Sequence, residues 1–105
     1  MNEISVRIAD WGSTEALRDI RRHVFIDEQQ IPEELEWDAD DARSTHFLIS
    51  CGTEPIGTAR LLSDGHIGRV ALMPQWRGRG LGEQLMRAVM AHAQSLGMQT
   101  LYLSA

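Results

Sequence analysis

One short segment of the chain has the composition of a phosphate-binding loop, and it reads Arg77-Gly78-Arg79-Gly80-Leu81-Gly82. Its glycines remove side chains that would keep an anion away from main-chain N–H groups, and they let the backbone curl around the anion. A helix starting near Leu81 would add unpaired N–H groups and the positive end of its dipole. The segment therefore predicts a pyrophosphate site. The alternative is a glycine-rich turn that only packs the helix onto a sheet.

Two other phosphate-binding loops fit this segment less well. A Walker A loop needs Lys followed by Ser or Thr after its last glycine, whereas Glu83 follows Gly82 here. A dinucleotide-binding loop has G-x-G-x-x-G spacing and an acidic residue about 20 positions further on. Here the spacing is G-x-G-x-G, and the strand predicted after the helix ends in Leu103-Ser104. Both a nucleotide hydrolase and a dinucleotide-dependent enzyme are therefore disfavoured.

The other residues able to bind a metal or act as nucleophiles show no recognisable spacing. The four histidines and Cys51 lack the intervals of a metal site, so no metal is expected. The acidic run over residues 38–41 resembles the start of a calcium loop, but Arg43 stands where the turn glycine belongs and Ile49 where the terminal Glu belongs. This run is therefore predicted to be a solvated loop. Cys51 lies in a strand-like run and is expected to be a small core residue.

The elements that must position the glycine loop are a strand before it and a helix after it. Residues 67–73 alternate like a half-buried strand, with Val70 and Leu72 on one face and Arg69 and Ala71 on the other. From residue 81 to 96, apolar side chains recur at intervals of three and four, which predicts an amphipathic helix ended by Gly97. Residues 100–103 predict a final strand. A strand, helix and strand in this order favour a parallel, right-handed unit.

The front of the chain predicts a strand followed by a long helix. Residues 4–9 alternate as a strand, and Ser13 or Thr14 can cap a helix that runs to about residue 29. Helical spacing places three arginines mostly on the solvent side of this helix. They are Arg18, Arg21 and Arg22.

A short helix and a hairpin are predicted to follow. Pro32 and the acids after it suit the first turn of a helix over residues 32–37. Residues 45–51 and 56–62 predict two antiparallel strands, because the residues between them favour a turn. The whole pattern predicts an α/β fold with a mixed β-sheet flanked by helices.

Length, composition and charge limit the possible functions. A chain of 105 residues with 43% apolar and 24% charged residues is expected to form one globular domain. The net charge of -5 argues against general binding to nucleic acid, although one basic loop can still hold an anion. A single cysteine fits a reducing compartment, and the polar start Met1-Asn2-Glu3 lacks the apolar core of a signal peptide. The expected location is the cytoplasm, with no membrane association.

The segment from Ile67 to Gly82 resembles the cofactor motif of the GNAT N-acyltransferase superfamily. In that motif Arg or Gln is followed by two residues, Gly, one residue, and Gly or Ala, and Arg77, Gly80 and Gly82 match the fixed positions. Trp76 and Pro74 match the aromatic residue and the proline that precede it. The front half is similar to ElaA-like and YjcF-like members in Val24-Phe25-Ile26-Asp27-Glu28-Gln29, Pro32-Glu33-Glu34 and Gly57-Thr58-Ala59-Arg60-Leu61.

This resemblance implies how an acyl-CoA is held. Main-chain amides from Arg77 through Gly78, Arg79, Gly80 and Leu81 to Gly82 would bind the CoA pyrophosphate. The edge of the preceding strand, around Val70, Ala71 and Leu72, would pair with the pantetheine arm, and an N–H near Leu72 would polarise the thioester carbonyl. The implied acyl donor is acetyl-CoA, and the implied acceptor is an amine of a small molecule or peptide.

Acyl transfer to an amine also needs a base that takes the proton of the amine. Glu28 is the first choice, because it lies at the family-like helix end that borders the acceptor side. A solvated surface Glu is the alternative. His46 and His66 are weaker candidates for the base. Arg60 and Arg69 either bind an anionic acceptor or pair with the acidic segment.

Members of the superfamily normally continue beyond the equivalent of Leu103-Ser104-Ala105 into another helix and two strands. The resemblance therefore implies a single GNAT-like domain over residues 1–105 that lacks these last elements. Either the chain is truncated, or a partner such as a second copy covers its exposed last strand. Besides an N-acetyltransferase, a non-catalytic acyl-CoA-binding or regulatory module and a fragment that works only inside an oligomer stay open as hypotheses.

Overall fold

The computed structural model of the chain describes residues 3–103. In chain order the elements are β1 (Ile4–Ala9), α1 (Glu15–Arg21), a π-helical segment (Arg22–Glu28), α2 (Glu33–Glu36), a 3₁₀ turn (Asp41–Arg43), β2 (Thr45–Cys51), β3 (Glu54–Leu61), β4 (His66–Leu72), a second 3₁₀ turn (Pro74–Trp76), α3 (Leu81–Ser95) and β5 (Tyr102–Leu103). The predictions made for the polar start at Met1 and Asn2 and for the end at Ser104 and Ala105 lie outside the described residues.

The strands form one mixed sheet in the order β1-β2-β3-β4-β5. Neighbours from β1 to β4 are antiparallel, and β5 is parallel to β4. This confirms the predicted hairpin and the predicted parallel unit around α3. β3 begins at Glu54, two residues earlier than predicted, because the hairpin turn needs only Gly52-Thr53. The register shift between Ile49 and Ser50 lies opposite Pro55, which cannot donate to a ladder.

Apolar side chains hold the helices against the two faces of the sheet. Alternation along β2 turns Phe47 and Ile49 to one face and Leu48 to the other. α3 packs on the first face, and α1 packs on the second. The buried residues of these helices follow the predicted spacing and are Leu81, Leu85, Val89 and Ala93 in α3 and Leu17 and Ile20 in α1.

The first helix has the predicted length but is less regular than its sequence suggests. Thr14 occupies the position before α1, but its side chain makes no capping hydrogen bond. Instead Asp10 accepts hydrogen bonds from the N–H and hydroxyl of Ser13. After Arg21 the helix widens into the π-helical segment and ends at Glu28, close to the predicted end. Such wide turns are rare and are often found at functional sites.

Six charged residues from α1, α2, β3, β4, the first 3₁₀ turn and the loop before that turn form what we call the buried ion network: Arg21, Glu36, Asp38, Asp41, Arg60 and Arg69. Arg21 is only 1% exposed, so the prediction of a solvent-facing Arg21 is wrong. Asp41 is buried as well, so a fully solvated loop over residues 38–41 is also wrong. The reason is tertiary: the acids that pair with Arg21 lie 15 and 20 residues away, beyond the reach of helical periodicity.

In the sheet order above, β5 is one of the two outer strands, and β1 is the other. Tyr102 stacks on His66 with ring centroids 4.6 Å apart, and Leu103 is 70% exposed. Whether a second copy covers this strand stays a prediction. Within residues 3–103, no helix is both long and apolar enough to cross a bilayer.

Candidate functional site

Among residues 3–103, β4 has strand partners on both sides at its beginning and on one side further along. β3 pairs with it at both ends of its length, whereas the described part of β5 pairs with His66 and Ile67. A bulge follows at Arg69, whose φ of 49° is left-handed, and the register against β3 shifts there. Beyond Ile67, no strand among residues 3–103 covers this side of β4. We call this side the open edge of β4.

The main-chain groups of Leu72 face the open edge. The N–H of Met73 donates to the carbonyl of Ile56 at 2.8 Å, toward β3. Residues of an antiparallel ladder turn their N–H and C=O alternately to one neighbour and to the other. Leu72, and by the same alternation Val70, therefore turn these groups to the open edge, whereas Ala71 turns its own toward β3. Of the three residues predicted to line the edge, two present hydrogen-bonding groups to it.

A cavity of about 620 Å³ lies along the open edge. Phe25 from the π-helical segment, Ile31 from the following loop and Met86 from α3 line it, with Gly68 and Val70 of β4 between them. Its volume is in the range of small-molecule sites, about 300–1,000 Å³. One wall belongs to the buried ion network, through Glu36, Arg60 and Arg69.

The glycine loop connects the end of β4 to the first turn of α3. Gly78 and Gly80 both have φ of 77°, a left-handed conformation that glycine adopts without strain. A Cβ added at either position would meet no atom within 4 Å, so the loop borders open space. Gly80 directly precedes α3, whose first N–H groups lack intrahelical acceptors. The loop therefore has the geometry that an anion such as a diphosphate requires.

The structure brings Glu28 and Arg77 together. The two terminal nitrogens of Arg77 donate to the two carboxylate oxygens of Glu28 at 2.6 and 2.8 Å. The Nε of Arg77 donates to the carbonyl of Leu72 at 3.0 Å. The hydrogen bond from Arg77 lowers the pKa of Glu28 below its ordinary value, and the same bond raises the pKa of Arg77. The predicted base thus lies at the end of β4, but its carboxylate is engaged. Arg79 lies over the ring of Trp76, 5.0 Å from its centroid.

The weaker candidates for catalysis have structural partners. His46 is buried, and its Nε2 donates to the carbonyl of Asp41 at 2.7 Å. Burial lowers the pKa of His46. His66 lies 2.9 Å from Asp64 at the surface. Arg60 and Arg69 both pair with the acidic segment, as one of the two alternatives predicted. Across residues 3–103 no three metal-ligating side chains are grouped, and the absence of a metal stays a prediction.

Sequence reasoning did not find the apolar wall of the cavity or the burial of Glu36 and Asp41 as partners of Arg21. Phe25, Ile31 and Met86 come from three segments and carry no shared local pattern. Glu36 and Asp41 lie in a polar stretch that looks solvated. The number of acids between residues 33 and 41, opposite several arginines in α1, was the one available signal.

An open-edged mixed sheet whose fourth strand leads through a glycine loop into a helix is the arrangement of the acyl-CoA N-acyltransferase fold. Residues 14–105 match the model of the acetyltransferase (GNAT) family, and the chain belongs to this family. The family is one of acyltransferases, so the predicted fold, family and class of enzyme are confirmed at this level.

The chain is similar to several bacterial proteins. It is 31% identical over 97 residues to the uncharacterized N-acetyltransferase YjcF of Bacillus subtilis strain 168, a match that covers 87% of this chain and 69% of YjcF. It spans about half the length of two further curated relatives. An acyl-CoA N-acyltransferase from Pseudomonas aeruginosa is 30% identical with a TM-score of 0.84, covering 98% of this chain and 80% of that one. Escherichia coli ElaA is 26% identical with a TM-score of 0.86, covering 98% and 78%.

Proposed function

We propose that this chain transfers an acetyl group from acetyl-CoA to an amine of a small molecule or peptide. The observation that carries the proposal is the continuity of the glycine loop, the open edge of β4 and the adjoining cavity. A CoA thioester is a long molecule with a diphosphate far from its acyl group, and this arrangement offers a place for each part. The name of the Pseudomonas aeruginosa relative supports an acyl-CoA as the donor.

The parts of the donor are assigned to different main-chain groups. The amides of residues 77–82 hold the diphosphate, helped by the dipole of α3. The open edge of β4 pairs with the amides of the pantetheine arm, and the N–H of Leu72 or Val70 polarises the thioester carbonyl. The cavity then receives the acceptor beside the acyl group, so that the amine lies within attack distance.

Glu28 is proposed as the base. Its carboxylate takes a proton from the ammonium form of the acceptor, and the free amine attacks the thioester carbon. The C–N bond forms and the C–S bond breaks, and the second proton of the acceptor nitrogen passes, directly or through water, to the leaving CoA thiolate, so that an amide and the CoA thiol are released. Glu28 is suited to this role because it lies beside the end of β4, where the guanidinium of Arg77 bridges its carboxylate and the carbonyl of Leu72.

A non-catalytic acyl-CoA-binding module is the second candidate. It is favoured by the bidentate contact of Arg77 with Glu28, which occupies the carboxylate that would accept the proton. Turnover separates the two candidates, because a binding module takes up acetyl-CoA without releasing thiol in the presence of amines.

The glycine loop can be tested with a matched pair of substitutions. Gly80→Ala places a methyl group beside the helix start at a left-handed position. Gly97→Ala does the same at the other end of α3, where φ is 79° and an added Cβ also meets no atom within 4 Å. Both variants should lose the same stability, about 1–2 kcal/mol. Only Gly80→Ala should weaken CoA binding in calorimetry, by about tenfold. Equal binding by the two variants would exclude the loop as the diphosphate site.

The base can be tested with Glu28→Gln and the neighbouring Asp27→Asn as control. Release of CoA thiol from acetyl-CoA is followed with a panel of amines. We expect Glu28→Gln to lower kcat by about 100-fold or more while acetyl-CoA still binds, because general base catalysis contributes about 10²–10⁴. Asp27→Asn should behave as the unaltered chain. If Glu28→Gln keeps full turnover, another group is the base. If acetyl-CoA binds but no amine is acetylated, the binding module is the better description.

A further inference from the structure

The ion pair of Glu28 and Arg77 joins two parts of the proposed site that are 49 residues apart. Glu28 is the last residue of the π-helical segment, and Arg77 is the first residue of the glycine loop. The guanidinium of Arg77 also holds the carbonyl of Leu72, which faces the open edge of β4. One side chain therefore contacts the proposed base, the pantetheine-binding edge and the diphosphate loop.

This pair is easy to separate. The side chains of Arg77 and Glu28 are 41% and 37% exposed, so water competes for both groups. Exposed ion pairs change an equilibrium by a factor of only about two to five. The pairs that Arg21 makes in the buried ion network are 1–3% exposed, and separating them would leave buried charges without partners. Of these two arginines, Arg77 is therefore the one able to change partners at small cost.

A diphosphate is a suitable competitor for this guanidinium. Arginine binds phosphate oxygens with the same two-pronged geometry that it uses for a carboxylate. The loop contributes two positive charges, Arg77 and Arg79, and Glu28 neutralises one of them. The diphosphate of an acyl-CoA carries about two negative charges, and Gly78 and Gly80 leave open space beside Arg77 for it.

We infer that Arg77 exchanges partners when an acyl-CoA binds: its guanidinium leaves Glu28 and the Leu72 carbonyl for the diphosphate, and the freed carboxylate can then accept the proton of the acceptor amine. The inference rests on the proposed function, because it takes the loop as the diphosphate site and Glu28 as the base. It assigns the Arg77 side chain, in addition to the loop amides, as a ligand of the donor.

The exchange has two consequences for the reaction. Glu28 loses the hydrogen bond that holds its pKa down, so its carboxylate becomes a stronger base once the donor is bound. The Leu72 carbonyl, no longer occupied by Arg77, can accept an N–H of the pantetheine arm at the open edge. Proton transfer is thereby coupled to the presence of the acyl donor.

The exchange can be tested by calorimetry, because it predicts whether the affinity for CoA rises or falls when Glu28 is replaced. If Glu28 competes with the diphosphate for Arg77, Glu28→Gln binds CoA about two to five times more tightly than the unaltered chain. If Glu28 instead holds Arg77 ready for the diphosphate, the same variant binds CoA more weakly. Arg77→Gln should weaken binding about tenfold, because a charge-assisted hydrogen bond is lost. Adding Glu28→Gln to Arg77→Gln should then bring no gain.

Glu33→Gln is the matched control, since it breaks an exposed pair with Arg22 and changes the net charge equally. It should leave CoA affinity unchanged, and an equal gain in this control would assign the effect to overall charge and overturn the exchange. Unchanged or weaker binding by Glu28→Gln overturns it as well. An unaltered chain that binds no CoA refutes the proposed function, and the exchange with it. Pantetheine, which has no diphosphate, should bind Glu28→Gln and the control alike.

Discussion

Replacing Arg21 by Met should destabilise the chain by about 3 kcal/mol. Arg21 is 1% exposed and makes four hydrogen bonds, to the carboxylates of Glu36 and Asp41 and to the carbonyl of Glu36. Removing one member of a buried ion pair costs about 3–5 kcal/mol, because the remaining charge is buried without a partner. Asp41 keeps Arg60 at 3.0 Å and Glu36 keeps Arg69 at 3.3 Å, which places the expected loss at the lower end of that range.

Urea unfolding followed by tryptophan fluorescence measures this loss directly. The guanidinium of Arg21 lies 5.1 Å from the ring of Trp11 and 5.2 Å from that of Trp37, so the probes sit at the network. Arg22→Met is the control, because the pair of Arg22 with Glu33 is exposed, and its unfolding midpoint should match that of the unaltered chain.

The pH dependence separates lost charge pairing from lost packing. Burial raises the pKa of Asp41, but hydrogen bonds from Arg21 and Arg60 outweigh it, so the pKa lies below its ordinary value. A carboxyl with a lowered pKa stabilises the fold above its unfolded pKa of about 4, and this contribution disappears as pH falls further. The difference between the unaltered chain and Arg21→Met should therefore shrink below about pH 4. A difference that stays constant with pH, or a midpoint equal to that of Arg22→Met, would refute the reasoning.

Two further predictions concern the sheet that carries the site. Gly57→Ala should cost about 1–3 kcal/mol in urea unfolding, because its Cβ would lie 2.7 Å from the main-chain oxygen of Ala71, whereas Gly12→Ala, with its nearest contact at 3.4 Å, should be tolerated. Equal urea midpoints for the two variants would show that β3 and β4 can move apart without loss of stability, which would contradict this prediction. His46→Gln should flatten the pH dependence of stability as pH falls below about 6.5, because burial lowers the pKa of His46 and the unfolded chain takes up its proton first. An unchanged slope below that pH would contradict the burial of an uncharged His46.

Most predictions that the structure confirms concern residues close together in the chain. The alternation of Phe47, Leu48 and Ile49 and the spacing of Leu81 and Leu85 predict which faces are buried, because strand and helix periodicity are properties of neighbouring residues. The same locality explains the errors. Arg21 follows helical spacing onto a face that is solvated in a lone helix, and α2 and the turn at Asp41 cover that face only after the chain has folded.

The amino-acid sequence alone determined the element order, the mixed sheet and the position of the glycine loop before a helix, since each follows from periodicity or from six adjacent residues. Only the tertiary structure decided that β4 has an open edge, that a cavity adjoins it, and that Glu28 and Arg77 meet across 49 residues. The physical reason is that the strength of an ion pair depends on its burial and on its partner, and both are set by segments distant in the chain.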